Sequence, residues 1–117
     1  MPSDNQHSLE SLTKAVRHFR DERSWRQFHS PKNLSMSIAI EAAELMEHFQ
    51  WLTTEEAANL AQTEGDTRQA ILEELADVLL YCFSLADVLE CDIGEIMMKK
   101  LAKNEKKYPA DTYRGRF

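Results

Sequence analysis

Glu41-x-x-Glu44 and Glu74-x-x-Asp77 are two carboxylate pairs at helical i, i+3 spacing, so each presents two acids on one helix face. Each pair lies within a strongly apolar segment, where unpaired acids are costly. Four carboxylates converging from two helices make a site for a hard divalent cation, Mg²⁺ or in its place Mn²⁺. Such a site points to metal-assisted chemistry on an anionic substrate, phosphate foremost.

At roughly 100° per residue, Glu41, Glu44 and His48 fall within about 60° of one another, bordered by Leu34, Ile38 and Leu45. Glu74, Asp77 and Tyr81 cluster likewise, bordered by Val78 and Leu85. Both pairs therefore sit at the edge of the core-facing sector. If the two helices pack antiparallel, the pairs meet, and their mutual repulsion calls for a cation. Ordinary solvated helix charge is the competing explanation for any one such pair, and it suits Glu73 better; Glu47 is placed to support the ligands from behind. A di-iron bundle would need Glu-x-x-His pairs, and no histidine here has a glutamate three residues before it. All-oxygen ligation favours Mg²⁺ or Mn²⁺ over iron or zinc.

Two further clusters flank the acids. Trp25-Arg26-Gln27-Phe28-His29-Ser30-Pro31-Lys32-Asn33 concentrates aromatic, imidazole and amide groups suited to stacking on and hydrogen-bonding a base, although Trp25 and Phe28 would serve equally as loop anchors. Trp51 follows the second helix and is placed to cover the same pocket. Lys100, Asn104 and Lys107 share one face of the last helix, with Tyr108 beside them; Lys100 is the candidate to reach phosphates, while Lys99, Lys103 and Lys106 read as a solvated face that complements the helix C-terminus.

The elements that position these groups are all helical. Leu9, Leu12, Val16 and Phe19 predict a first helix from about Ser8 to Arg23. Trp25 to Asn33, with Pro31, reads as a loop. A second helix is expected from Leu34 to Gln50, and Thr53-Thr54-Glu55-Glu56 reads as a capping box opening a short helix to about Gln62. Gly65 is a breaker, a long helix follows from Asp66 to Glu90, and Asp92 caps a last helix that runs to about Lys107. The long helix is apolar around most of its circumference, so it must be covered on several sides, in part by a partner subunit. The expectation is an all-α, four-helix bundle-like domain over residues 1–117, with flexible tails at 1–7 and 110–117, assembling as a homo-oligomer.

The chain has 117 residues and a net charge of −6, which disfavours a binder of nucleic acid polymers yet leaves a metal-bound nucleotide open. Cys82 and Cys91 do not form a secreted disulfide framework, and neither a signal peptide nor a membrane-spanning run is apparent, so a cytoplasmic location is expected.

Arg23-Ser-Trp-Arg-Gln-Phe-His-Ser-Pro-Lys-Asn-Leu34, Glu41-Ala-Ala-Glu-Leu45, Phe49-Gln-Trp51, Glu73-Glu-Leu-Ala-Asp-Val-Leu-Leu-Tyr81 and Lys100-Leu-Ala-Lys-Asn-Glu-Lys-Lys-Tyr-Pro109 form an ordered set. Across about Leu12 to Pro109 it resembles the MazG-like all-α nucleoside triphosphate pyrophosphohydrolases, especially the branch of the dCTP pyrophosphatases. The resemblance implies hydrolysis between the α and β phosphates to a monophosphate and pyrophosphate. It implies Mg²⁺ held by Glu41, Glu44, Glu74 and Asp77, with one of these glutamates or Glu47 orienting or deprotonating water. It also implies phosphate contacts from Lys100 and Asn104, a nucleoside pocket lined by Trp25, His29, Trp51 and Tyr81, and assembly as dimers or dimers of dimers. The chain departs from the animal-type pattern at Val16, where a histidine stands, and has Lys107 where Arg is also common. The expected activity is a Mg²⁺-dependent (d)NTP pyrophosphohydrolase favouring dCTP or related pyrimidine deoxynucleotides, in nucleotide-pool cleansing. The alternatives are a dUTP or modified-nucleotide pyrophosphatase, or a non-enzymatic helical module with a structural metal.

Overall fold

Six α-helices and one 3-10 turn make up the computed structural model, which describes residues 6–116 and contains no strand among them. α1 spans Leu9–Glu22, α2 Pro31–Glu47, α3 Thr54–Gln62, α4 Asp66–Val88, α5 Ile93–Lys107 and α6 Ala110–Tyr113. The all-α expectation holds.

Four helix starts are fixed by side-chain caps. Ser8 Oγ accepts from the Ser11 N–H at 3.1 Å, Ser30 Oγ from Asn33 at 3.1 Å, and Asp92 Oδ1 from Glu95 at 2.8 Å. At α3 the capping box is reciprocal: the Glu56 N–H donates to Thr53 Oγ1 at 3.1 Å, and the Thr53 N–H donates to Glu56 Oε1 at 2.9 Å.

Both ends of α2 and the C-terminal tail differ from expectation; α2 ends at Glu47, not Gln50. α2 begins at Pro31, not Leu34, because proline is tolerated in the first helical turn, where its missing N–H costs nothing. The segment before it is correspondingly shorter and contains a 3-10 turn, Arg26–Phe28. The expected 110–117 tail is also partly ordered: Ala110–Tyr113 forms a helical turn after Pro109, and the Tyr113 ring meets Tyr108 edge-on at 5.2 Å. Of the expected 1–7 tail, residues 1–5 lie outside the described residues, as does Phe117.

α1 and α4 end alike. The Trp25 N–H reaches Arg20 O and the Ser24 N–H reaches Asp21 O, both at 3.1 Å. The Cys91 N–H reaches Ala86 O and the Glu90 N–H reaches Asp87 O, again both at 3.1 Å. These are Schellman motifs, and the left-handed position that glycine usually fills is held by Ser24 (φ 53°) and Glu90 (φ 55°).

α4 is the centre of the packing, with α2 laid along it most extensively and α1 and α3 against other parts of it. α5 packs extensively on none of them. Among the described residues only Leu34, Ile71 and Ala86 are buried apolar side chains, whereas Leu75, Leu79 and Leu80 of α4 and Ile96, Met97, Met98 and Leu101 of α5 are exposed. The chain exposes 9650 Å², against about 6,600 Å² for a compact monomer of this length. Its radius of gyration is 17.1 Å, against about 13 Å. No described helix is long and apolar enough to cross a membrane.

Candidate active site

The α2–α4 contact brings the acids together. Carboxylate oxygens of Glu41, Glu44 and Glu74 lie within 4.8 Å of one another. Oxygens around Mg²⁺ at about 2.1 Å stand no more than about 4.2 Å apart, so a small inward adjustment closes the cluster on such an ion. Two further observations fit a cation here. Glu74 Oε2 is buried with no hydrogen-bond partner. The Glu41 carboxyl is pushed up to about 7, first by the hydrogen bond it shares with Glu74, then by burial and by Glu44. Without a cation the three acids answer their repulsion by holding a proton. The donor set is entirely oxygen, which suits Mg²⁺ or Mn²⁺.

Asp77 is not in this tight trio. Its side chain lies one turn further along α4 and, with Glu41, lines a neighbouring cavity of about 440 Å³. That cavity is walled by apolar side chains of α1 and α4, among them Leu12, Val16 and Leu80. Trp25, His29 and Tyr81 add ring faces. The Trp25 ring is held edge-on to Phe19 at 5.7 Å and tilted to His29 at 6.4 Å, and the Arg23 guanidinium covers Phe19 at 3.7 Å. Burial, with the Arg20 charge behind it, pushes the His29 imidazole below its ordinary value, so it is neutral near pH 7. Trp25 is placed by the Schellman turn after α1, and His29 by the 3-10 turn that follows, its N–H reaching Arg26 O at 3.2 Å.

The other candidates stand apart. The Asn33 amide donates to the Phe28 carbonyl at 3.1 Å and so braces the loop, outside the cavity lining. Trp51 is 87% exposed and lines neither that cavity nor a second one between α1 and the start of α5. Lys100, Asn104, Lys107 and Tyr108 lie on α5 and just after it, away from the acids of the same chain; Tyr108 instead receives the Lys107 ammonium at 5.3 Å. Within one chain, then, the carboxylate cluster and the ring-lined cavity are assembled, and the basic face lines neither.

Arg20 and Ser84 also line the cavity, and neither was a sequence candidate. The signal for Arg20 was available: it continues the α1 stripe, four residues after Val16 and one after Phe19.

The model of the MazG-like family matches residues 36–116. The dCTP pyrophosphatase 1 proteins of Bos taurus and Homo sapiens are each 36% identical over 108 residues, 92% of this chain, which spans 63% of their length. A crystal structure of a pyrophosphatase from Archaeoglobus fulgidus superposes with a TM-score of 0.80 at 43% identity, covering 88% of this chain and 94% of that one. Those matches run through α2, α4 and the acids they carry, and the chain belongs to the MazG-like family.

Proposed function

We propose that this chain is a single-domain, Mg²⁺-dependent nucleoside triphosphate pyrophosphohydrolase that converts a (d)NTP to a (d)NMP and pyrophosphate. Its preferred substrates are dCTP or related pyrimidine deoxynucleotides, and its role is cleansing of the cytoplasmic nucleotide pool. The observation that carries the reading is the junction of two compartments at Glu41: a three-carboxylate cluster on one side and a ring-lined cavity on the other. A triphosphate placed at the first puts its base in the second. The relatives' names, dCTP pyrophosphatase, support the same substrate class.

Glu41, Glu44 and Glu74 would hold the metal, with Asp77 completing the set from the cavity side. A divalent ion held there would supply charge neutralisation for the phosphates and acidify the attacking water. The chain's own groups do the rest. Trp25 and Tyr81 stack on the base, and neutral His29 hydrogen-bonds it. Leu12, Val16 and Leu80 keep water from the nucleoside.

The phosphate-binding face of Lys100, Asn104, Lys107 and Tyr108 is supplied by a second copy. About 3,000 Å² of surplus surface and the uncovered apolar side chains of α4 and α5 match an obligate homo-oligomer in size and character. The deciding experiment incubates the purified protein with dCTP, 5-methyl-dCTP, dUTP and dTTP in Mg²⁺ or Mn²⁺ and assays dNMP and pyrophosphate. Turnover with dCTP foremost is expected; no turnover of any nucleotide refutes the reading.

A further inference from the structure

Arg20 is 1% exposed, the most secluded charged side chain among the described residues. Its Nη2 donates to Asp87 Oδ2 at 2.7 Å. Asp87 is already held by Arg17, whose Nη2 and Nε donate to Oδ1 at 2.5 and 3.1 Å. Two guanidinium groups thus share one carboxylate, and Arg20 is not required to neutralise it. The rest of its head is unmatched. Nε and Nη1 are buried with no hydrogen-bond partner; the Asp21 carboxylate is 3.5 Å from Nε, beyond a formed bond. His29 Nδ1, in the same cavity lining, is likewise unpartnered. With Glu74 Oε2, these are the buried unmatched side-chain atoms among the described residues, and all belong to the candidate site. Buried donors without acceptors are costly, so the two unmatched Arg20 nitrogens in this cavity wall mark where a ligand's acceptors belong.

Arginine offers donors and no acceptor. A base that satisfies it presents adjacent acceptors on one edge. Cytosine does so at O2 and N3, whereas uracil and thymine carry a hydrogen on N3, which would face another donor. We propose that Arg20 is the specificity-determining residue of the cavity, donating a free Nη1 N–H to N3 on the O2/N3 edge of a cytosine base. The inference rests on the nucleotide reading above. The nitrogens are closed off from water in the unliganded chain, so the base reaches them by displacing side chains of the wall. A bond made there has no water competing for it, and rejection of the wrong edge is correspondingly strong.

The test uses the full chain with Mg²⁺ and binding of deoxynucleoside monophosphates, followed by Trp fluorescence. The unaltered protein should bind dCMP at least tenfold more tightly than dUMP, and at least tenfold more tightly than 3-deaza-dCMP, in which N3 is replaced by C–H. Arg20→Lys keeps a cation against Asp87 and should bring the dCMP-to-dUMP ratio close to one, with Mg²⁺ affinity unchanged. Equal binding of dCMP and 3-deaza-dCMP by the unaltered protein overturns the inference whether or not the variant folds. So does an Arg20→Lys protein that keeps the ratio. Absence of turnover with every triphosphate overturns instead the hydrolase reading, because the Arg20 test is read on binding alone.

Discussion

The three-carboxylate cluster should make divalent-cation affinity depend on pH near neutrality. Glu41 holds a proton up to about pH 7 because its carboxyl shares a hydrogen bond with Glu74 beside Glu44. A cation must displace that proton. With one competing proton of that pKa, affinity at pH 6 is about elevenfold weaker than its high-pH limit, and at pH 8 about 1.1-fold weaker, so tenfold, about 1.4 kcal/mol, is gained between them. A glutamate at its ordinary value of 4.5 would change by only about 3% over the same span. Titration calorimetry with Mg²⁺ or Mn²⁺ in buffers of different ionisation enthalpy should also register about half a proton released per ion at pH 7. Affinity constant within twofold from pH 6 to 8 refutes the reasoning. The stability of the metal-free chain runs the other way. The folded state keeps a proton that the unfolded chain gives up near 4.5, so stability falls as pH rises from there through about 7, then levels. Glu74→Gln removes the largest cause of the shift. It should raise metal-free stability at pH 8 by about 1 kcal/mol while abolishing Mg²⁺ binding, the trade-off expected of a site built for function.

Glu44→Gln and Asp77→Asn should each lower turnover at limiting Mg²⁺ by at least a hundredfold with helicity by circular dichroism unchanged; near-normal rates would remove them from the metal site. Trp25→Ala should raise KM rather than lower kcat, by a factor set by about 1–3 kcal/mol of stacking, and an unaltered nucleotide profile would leave Trp25 as a loop anchor only. Ser24→Gly and Glu90→Gly relieve left-handed backbone at the two Schellman turns and should each stabilise by about 1 kcal/mol in thermal melts, the larger unfolded-state entropy of glycine offsetting part of the relief. Leu101→Glu should shift sedimentation toward a smaller species and lower thermal stability if the α5 face is an interface; unchanged mass and stability would exclude that face.

The capped helix starts were legible because side chains write them: Ser8, Thr53-x-x-Glu56 and Asp92 act within one turn of their own position. The carboxylate cluster was legible because i, i+3 spacing and an apolar neighbourhood fix which face carries the acids, whatever the tertiary detail. Pro31 misled for a local reason, since a proline breaks a helix in its middle and favours it at its start. Ser24 and Glu90 gave no warning, because a Schellman turn without glycine has no compositional mark. Asp77 stands outside the trio because which carboxylate oxygens meet depends on how far α2 has slid along α4, which wheel angles do not encode. Arg20 passed unnoticed since a charged residue on an apolar stripe reads as its solvated border; only the fold shows it sealed beneath the loop.

The backbone of Arg20 accepts the Trp25 amide while its side chain grips Asp87, just before the turn at which Cys91 bonds back to Ala86. One residue thus joins the end of α1, the ring-bearing loop and the end of α4. Transient opening of any of these strains the other two, so the Ser24, Trp25 and Cys91 amides should exchange their hydrogens with solvent as a set. Their common exchange rate measures how often the cavity loses its shape, a clock for ligand entry that can be read without any ligand present.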